Sequence, residues 1–178
     1  MDLQIALAER MKRIRLIVLD VDGVLTDGGI YMGPEGEAMK RFDIKDGLGI
    51  ALWHRVGGKT AILTGRSSQI VENRAKELHI SVVRQGCTDK GVAYKELKAE
   101  LKISDEEIAY IGDDIIDLPV MKQVGLPVAV ADAVPEVRSV ACLVAAHCGG
   151  RGAIRETVER ILRAQGRFEE AAAQYLLS

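Results

Sequence analysis

Short apolar runs that end in polar residues constrain the fold of this chain most strongly. Residues 16–19 read Leu-Ile-Val-Leu and lead straight into Asp20. Comparable runs occur at residues 61–63, 80–83, 108–111, 128–130 and 143–144. Such runs are typical of parallel strands that are buried on both faces. Segments with helical patterning separate them, so the sequence predicts an α/β fold with a doubly wound, mostly parallel, Rossmann-like sheet.

The length and composition predict a single domain over residues 1–178. Hydrophobic residues make up 48% of the chain and charged residues 28%, which is ordinary for a globular protein. Residues 24–43 break the alternation of strand and helix, because they are rich in glycine and predict an inserted β-hairpin. Residues 165–178 form a C-terminal tail with apolar side chains at helical spacing. This tail is either an amphipathic helix docked on a subunit or a frayed end.

Charge and cysteine content exclude several classes of partner. The net charge of −2 gives no electrostatic reason to expect nucleic acid or an anionic membrane. No apolar run approaches the roughly 20 residues that span a bilayer, and residues 1–12 lack the apolar core of a signal peptide. The three cysteines match no disulfide framework or zinc pattern. We therefore expect a cytoplasmic protein that binds neither nucleic acid nor membrane.

Polar side chains follow three of the predicted strands and begin one predicted helix. Asp20 and Asp22 come after the first strand, and Gly23 permits a sharp turn there that brings backbone N–H groups near a ligand. Thr64 closes a second strand, and Lys90 stands near the start of a helix. A third strand ends in the sequence Gly-Asp-Asp-Ile-Ile-Asp, which contributes Asp113, Asp114 and Asp117. An Asp-x-Asp pair alone is as often a turn or a helix cap, but here four such elements occur together.

These four elements, in this order, resemble the motifs of the haloacid dehalogenase superfamily of phosphohydrolases. The resemblance implies that Asp20 is the nucleophile and that Asp22 donates a proton to the leaving alcohol and later activates water. It implies that Thr64 and Lys90 bind the phosphoryl oxygens. A Mg²⁺ ion, which prefers oxygen ligands, would be held by Asp20, Asp113 and the main-chain carbonyl of Asp22. Asp114 and Asp117 are expected to orient this metal site and Lys90.

A second, narrower resemblance to known enzymes covers about residues 11–166. The segments that carry it are residues 20–28, 46–49, 65–66, 129–133 and 149–156. They are similar to the 3-deoxy-D-manno-octulosonate 8-phosphate (KDO 8-P) phosphatase family. This resemblance implies a sugar-acid phosphate substrate on the route to the lipopolysaccharide inner core. It also implies a homotetramer in which inserted hairpins assemble into a barrel and neighbouring subunits complete the active sites. The segments between the motifs are too short for a large cap domain.

The same resemblance suggests which residues contact the sugar acid. Gly23, Gly65 and Arg66 belong to the loops around the predicted phosphate site. Arg74 lies two helical turns beyond Arg66, so it either faces a neighbour's site and binds the substrate carboxylate there or is a solvated helix residue. Arg151 lies in a glycine-rich stretch and either covers the site or is an ordinary loop arginine.

Other functions share parts of this pattern. A phosphatase for a nine-carbon sugar acid 9-phosphate would carry the same four motifs. A receiver-like signalling module would also combine a phosphoacceptor aspartate with threonine, lysine and Mg²⁺, but it would lack an acid/base at the position of Asp22. A scaffold protein with a dead site is disfavoured because no motif residue is missing.

Overall fold

The computed structural model describes residues 3–176, and its main sheet has six parallel strands. The strands of the chain are β1 (Leu16–Leu19), β2 (Tyr31–Gly33), β3 (Gly36–Met39), β4 (Lys59–Leu63), β5 (Val82–Arg84), β6 (Ile108–Gly112), β7 (Leu126–Ala129) and β8 (Leu143–Val144). The order in the main sheet is β5-β4-β1-β6-β7-β8, and β2 pairs with β3 in a separate hairpin. The predicted doubly wound sheet is confirmed.

Helices cover the two faces of this sheet. They are α1 (Leu3–Arg13), α2 (Ile44–Arg55), α3 (Gln69–Glu77), α4 (Lys90–Leu101), α5 (Leu118–Met121), α6 (Pro135–Val140), α7 (Ala153–Ala164) and α8 (Phe168–Leu176). One layer contains α1, α2, α7 and α8, which pack against one another, and α4, α5 and α6 form another contiguous layer. Among residues 3–176, no helix combines the length and the apolar character that a membrane crossing requires.

The central strand β1 lies at the middle of the core. Its four side chains are between 0 and 1% exposed, because β4 and β6 flank it and helices cover both faces. Each such buried aliphatic side chain contributes about 1.5–3 kcal/mol to folding. Parallel pairing brings the carboxyl ends of β4, β1 and β6 side by side, which is where open α/β sheets place their ligands.

The predicted insertion is an antiparallel hairpin of β2 and β3, and a bridge between Thr26 and Phe42 closes its base. Several of its apolar side chains face solvent in the single chain: Ile30, Tyr31, Met32 and Met39. The helix α2 begins just after it, and Ile44 at its first position is 84% exposed.

The C-terminal segment folds back onto the same chain. The sequence pattern did not predict α7, which packs against α1 and α2. The following helix α8 lies against α2, where the guanidinium group of Arg55 donates to the Tyr175 hydroxyl at 2.8 Å and stacks over its ring. The structure therefore has a docked helix here rather than a frayed end; Leu177 and Ser178 lie outside the described residues.

Candidate active site

A cavity of about 240 Å³ opens at the carboxyl edge of the sheet. It is lined by Asp20, Asp22, Gly28, Thr64, Gly65, Arg66, Asp113, Asp114 and Ile116. Asp20, Thr64 and Asp113 directly follow β1, β4 and β6. Because these three strands are parallel neighbours, their ends hold the three side chains at one edge.

A wide turn after β1 carries the first two carboxylates. The N–H of Thr26 donates to the carbonyl of Val21 at 3.0 Å, and the N–H of Val21 donates to Oδ1 of Asp20 at 2.7 Å. Gly23 has a φ of +85°, and a Cβ atom there would lie 2.0 Å from Oδ2 of Asp113. Glycine at this position therefore lets the turn pass close to the carboxylate that follows β6.

The ammonium group of Lys90 bridges two carboxylates beneath the cavity. Its Nζ lies 2.7 Å from Oδ2 of Asp20 and 2.7 Å from Oδ1 of Asp117, and the side chain is 1% exposed. Burial alone would lower the pKa of Lys90, but the charges of the two aspartates raise it above its ordinary value. The lysine therefore stays protonated at neutral pH.

Asp117 has hydrogen bonds on both carboxylate oxygens. Besides Lys90, the hydroxyl of Tyr110 donates to its Oδ1 at 2.6 Å. The backbone N–H groups of Asp113 and Asp114 donate to its Oδ2 at 2.9 and 3.3 Å. Asp117 thus fixes Lys90 and the loop after β6. The sequence contained a signal for this contact. Tyr110 lies within the apolar run of β6, and a buried phenol hydroxyl needs a hydrogen-bond partner such as Asp117.

Asp113, in contrast, has a buried Oδ1 with no hydrogen-bond partner among residues 3–176. Carboxylate oxygens of Asp20, Asp113 and Asp117 lie within 4.8 Å of one another. Burial and the charges of Asp20 and Asp117 raise the pKa of Asp113 to about 8. Burial raises the pKa of Asp20 to about 6, against the opposing charge of Lys90. Crowded carboxylates with an unsatisfied oxygen fit a hard divalent cation. Asp113 supplies the unsatisfied oxygen, and the carboxylate of Asp20 lies beside it.

Asp22 lies on the hairpin side of the cavity. Its Oδ1 pairs with Nζ of Lys40, and its Oδ2 lies 3.7 Å from Nε of Arg66. Lys40 also contacts Oε1 of Glu37 at 2.9 Å. Burial alone would lower the pKa of Lys40, but hydrogen bonds with Asp22 and Glu37 raise it. Neither Lys40 nor Glu37 was a candidate from the sequence, because a lysine after a short hairpin strand matches no general motif.

Comparisons with known proteins agree with this geometry. A model of the haloacid dehalogenase-like hydrolase family matches residues 62–152. The 3-deoxy-D-manno-octulosonate 8-phosphate phosphatase of Yersinia pestis is 50% identical over 163 residues, 92% of this chain and 87% of that protein. The Escherichia coli K12 protein of the same name is 47% identical over 165 residues, 93% of this chain and 88% of that protein. This chain belongs to the KDO 8-P phosphatase family.

A solved structure supports the same family. The KDO 8-P phosphatase of Moraxella catarrhalis, crystallised in complex with a magnesium ion, a phosphate ion and a KDO molecule, is 40% identical and has a TM-score of 0.92. The match covers 95% of this chain and 97% of that chain. The predicted family resemblance is therefore confirmed by sequence and by structure.

Two glycine-rich segments that carried the resemblance to KDO 8-P phosphatases support the site. Residues 149–153 hold the turn after β1, and residues 46–49 hold the start of α7. A Cβ atom at Gly149 would lie 1.7 Å from the carbonyl oxygen of Gly23, so the two backbones are in direct contact. The carboxylate of Asp46 accepts hydrogen bonds from the N–H groups of Gly152 at 3.1 Å and Arg155 at 2.8 Å. Asp46 thus caps α7 from α2, and these segments position the site without lining it.

The predicted substrate-binding residues of this KDO 8-P phosphatase family member divide into two groups. Gly65 and Arg66 line the cavity, and Gly23 lies beside it in the turn. Arg74 does not line it: its guanidinium group stacks 5.4 Å above Phe42 and pairs with Glu77. The exposed Arg151 points to Asp27, with Nη2 at 3.7 Å from its carboxylate. Neither arginine lines the cavity in its own chain.

The Asp113→Asn variant is expected to stabilise the metal-free protein at high pH. The pKa of Asp113 is raised to about 8 in the fold, against an ordinary value of 3.8. The folded state therefore disfavours the ionised carboxylate, and stability is lost as pH rises from about 4 through about 8. The uncharged amide avoids this loss, so the variant should gain at least about 1 kcal/mol in unfolding free energy near pH 9.

Urea unfolding in the presence of a chelator measures this effect. The variant's advantage should shrink near pH 4, where the folded wild type is also uncharged at this position. Added Mg²⁺ should stabilise the wild type and leave Asp113→Asn almost unchanged. A variant that is less stable than the wild type at high pH would contradict the crowding of carboxylates described above.

Proposed function

We propose that this chain is a Mg²⁺-dependent phosphoric monoester hydrolase that converts 3-deoxy-D-manno-octulosonate 8-phosphate to the free sugar acid and phosphate. The reaction belongs to lipopolysaccharide inner-core biosynthesis. The observation that carries the proposal is the cluster of Asp20, Lys90 and Asp113 at the ends of adjacent strands, in a chain about half identical to a named KDO 8-P phosphatase.

The metal would be held by the carboxylates of Asp20 and Asp113 and by the main-chain carbonyl of Asp22. The unsatisfied Oδ1 of Asp113 supports this assignment. When bound, Mg²⁺ offsets the repulsion between the carboxylate of Asp20 and the negative phosphoryl oxygens. Asp114 and Asp117 keep the metal site and Lys90 in position. Asp117 does so through hydrogen bonds on both of its oxygens, from Lys90 and from the N–H of Asp113.

Asp20 attacks phosphorus in the first step, while the bond from phosphorus to the sugar oxygen breaks. Asp22 gives its proton to that departing oxygen. In the second step Asp22 takes a proton from water, the water oxygen bonds to phosphorus, and phosphate leaves Asp20 with its carboxylate restored. Thr64 and Lys90 bind the phosphoryl oxygens in both steps and stabilise the charge that develops there. Each group lies at, or directly beneath, one cavity.

The sugar-acid end of the substrate extends away from this phosphate site. Arg66 borders the cavity and is 47% exposed, so its guanidinium group is available to the hydroxyls or carboxylate of the sugar. We propose that Gly23 and Gly65 present backbone groups to the phosphate. The small cavity of the single chain leaves the sugar uncovered, and Arg74 and Arg151 would contact it only across a subunit boundary or after a loop movement.

We further propose that the protein is a cytoplasmic homotetramer of one domain per chain, with hairpins from neighbouring subunits completing the sites. The exposed apolar side chains of the hairpin support assembly, since isolated hairpins with such surfaces favour pairing. All three cysteines are free thiols, which suits a reducing compartment. Neither nucleic acid nor membrane is an expected partner.

A panel of phosphate esters tests the proposed substrate. We expect kcat/KM for the eight-carbon sugar acid 8-phosphate to exceed that for the nine-carbon sugar acid 9-phosphate by at least about tenfold, because one added carbon changes the distance between the phosphate and the groups that bind the carboxylate. Phosphate release would be followed for both esters, with and without Mg²⁺. A larger kcat/KM for the nine-carbon ester would assign the enzyme to that substrate instead.

A further inference from the structure

Lys40 is a buried cation that the reaction described above does not use. It follows β3 at the base of the hairpin, and its side chain is 1% exposed. A lysine ammonium is rarely buried without partners, because leaving water is costly unless ion pairs replace its hydration. Its partners are Oδ1 of Asp22 and Oε1 of Glu37. Lys40 therefore pairs directly with Asp22, the proposed acid/base.

Glu37 connects this ion pair to the loop after β4. Its Oε2 accepts a hydrogen bond from the hydroxyl of Ser68, which also caps α3. Its Oε1 lies 3.5 Å from Nη2 of Arg66. Glu37 and Lys40 thus join the hairpin to the turn that carries Asp22 and to the loop that carries Arg66.

The two buried lysines of this region serve different carboxylates. Lys90 pairs with Asp20 and Asp117, beneath the proposed nucleophile. Lys40 pairs with Asp22 from the opposite, hairpin side. Its hydrogen bond goes to Oδ1. On the side of Oδ2, Nε of Arg66 lies at 3.7 Å, which is beyond direct hydrogen-bond distance.

We propose that Lys40 is a positioning residue that fixes the carboxyl group of Asp22 so that Oδ2 faces the leaving-group oxygen. This inference rests on the proposed phosphatase function and assigns to the hairpin a role in proton transfer. In the first step the Oδ2–H bond breaks and its proton bonds to the sugar oxygen, as that oxygen leaves phosphorus and Asp20 bonds to it. Lys40 keeps all its protons and touches neither substrate nor phosphorus.

The Lys40→Met variant tests this assignment with two substrates that differ in their leaving groups. A sugar alkoxide must be protonated as it departs, whereas p-nitrophenolate leaves without a proton. Since kcat/KM reports steps up to departure of the leaving group, the variant should lose at least about tenfold in kcat/KM on the sugar phosphate. On p-nitrophenyl phosphate the kcat/KM of the variant should stay within about threefold of the wild-type value. KM for the sugar phosphate should change little, so the loss lies in kcat.

Three further variants make the result decisive. Lys40→Arg keeps a donor to Asp22 and should recover part of the loss, and Asp22→Asn should reproduce the selective loss in a stronger form, by about 10²–10⁴-fold on the sugar phosphate. Lys45→Met removes an exposed lysine five positions away and should match the wild type on both substrates. If Lys40→Met fails to fold, Lys40→Gln replaces it with the same expectation.

Equal losses on the two substrates, or no loss on either, would overturn the positioning role of Lys40. Wild-type protein that releases phosphate from neither substrate would instead refute the proposed function itself. Thermal unfolding of each variant, measured with Mg²⁺ present, separates a change in the acid/base from a general weakening of the hairpin.

Discussion

Asp20→Asn is expected to reduce phosphate release by about a thousandfold or more while the fold stays intact. An amide is a poor nucleophile and cannot form an acyl phosphate, so the covalent route closes. The substitution removes one of several crowded negative charges beside Asp113. Lys90 keeps its contact with Asp117, so no buried ammonium is left without a partner. The loss should therefore appear in turnover and not in stability.

Steady-state phosphate release and thermal unfolding, measured on the same preparation, test this expectation. Glu106→Gln is a matched control, because it replaces an exposed carboxylate far from the cavity by its amide. That control should retain wild-type turnover. If Asp20→Asn kept more than about a tenth of the wild-type rate, Asp20 would not be the nucleophile.

Removal of the divalent cation is expected to abolish turnover completely and reversibly. Without it, the carboxylate of Asp20 faces a dianionic phosphate ester next to the carboxylate of Asp113, and these charges repel. Burial, together with the charges of neighbouring carboxylates, raises the pKa values of Asp20 and Asp113. A divalent cation held by Asp20 and Asp113 would offset the repulsion between these carboxylates and the phosphate.

Dialysis against a chelator followed by titration with Mg²⁺ measures this dependence. Activity should fall to the background and return in proportion to bound Mg²⁺, and the thermal midpoint of the wild type should rise with it. Asp113→Asn should show little recovery at the same Mg²⁺ concentrations. Full activity in the presence of the chelator would exclude the metal-assisted reaction.

The sequence predicted the residues at strand ends well, for a physical reason. Parallel strands that are buried on both faces are continuous apolar runs, and each run stops where the chain leaves the core. Asp20, Thr64 and Asp113 stand at those stops and line one cavity. Topology alone brings them together, so no knowledge of side-chain contacts was needed.

Contacts that depend on packing between distant segments were not predictable in the same way. Lys40 reaches Asp22 only because the inserted hairpin folds over the turn after β1. Asp46 caps α7 more than 100 residues away. Within its own chain, Arg74 of α3 stacks on Phe42 and lies against Gly47 of α2. Local periodicity contains no information on such pairings.

The most direct test is to stop wild-type turnover with acid and locate the phosphoryl group by mass spectrometry of peptides. We expect one phosphoryl group on the peptide that contains Asp20, transient in the wild type and absent from Asp20→Asn. Turnover without any phosphorylated peptide, or with the group on another residue, would contradict a carboxylate that carries phosphorus at the end of β1.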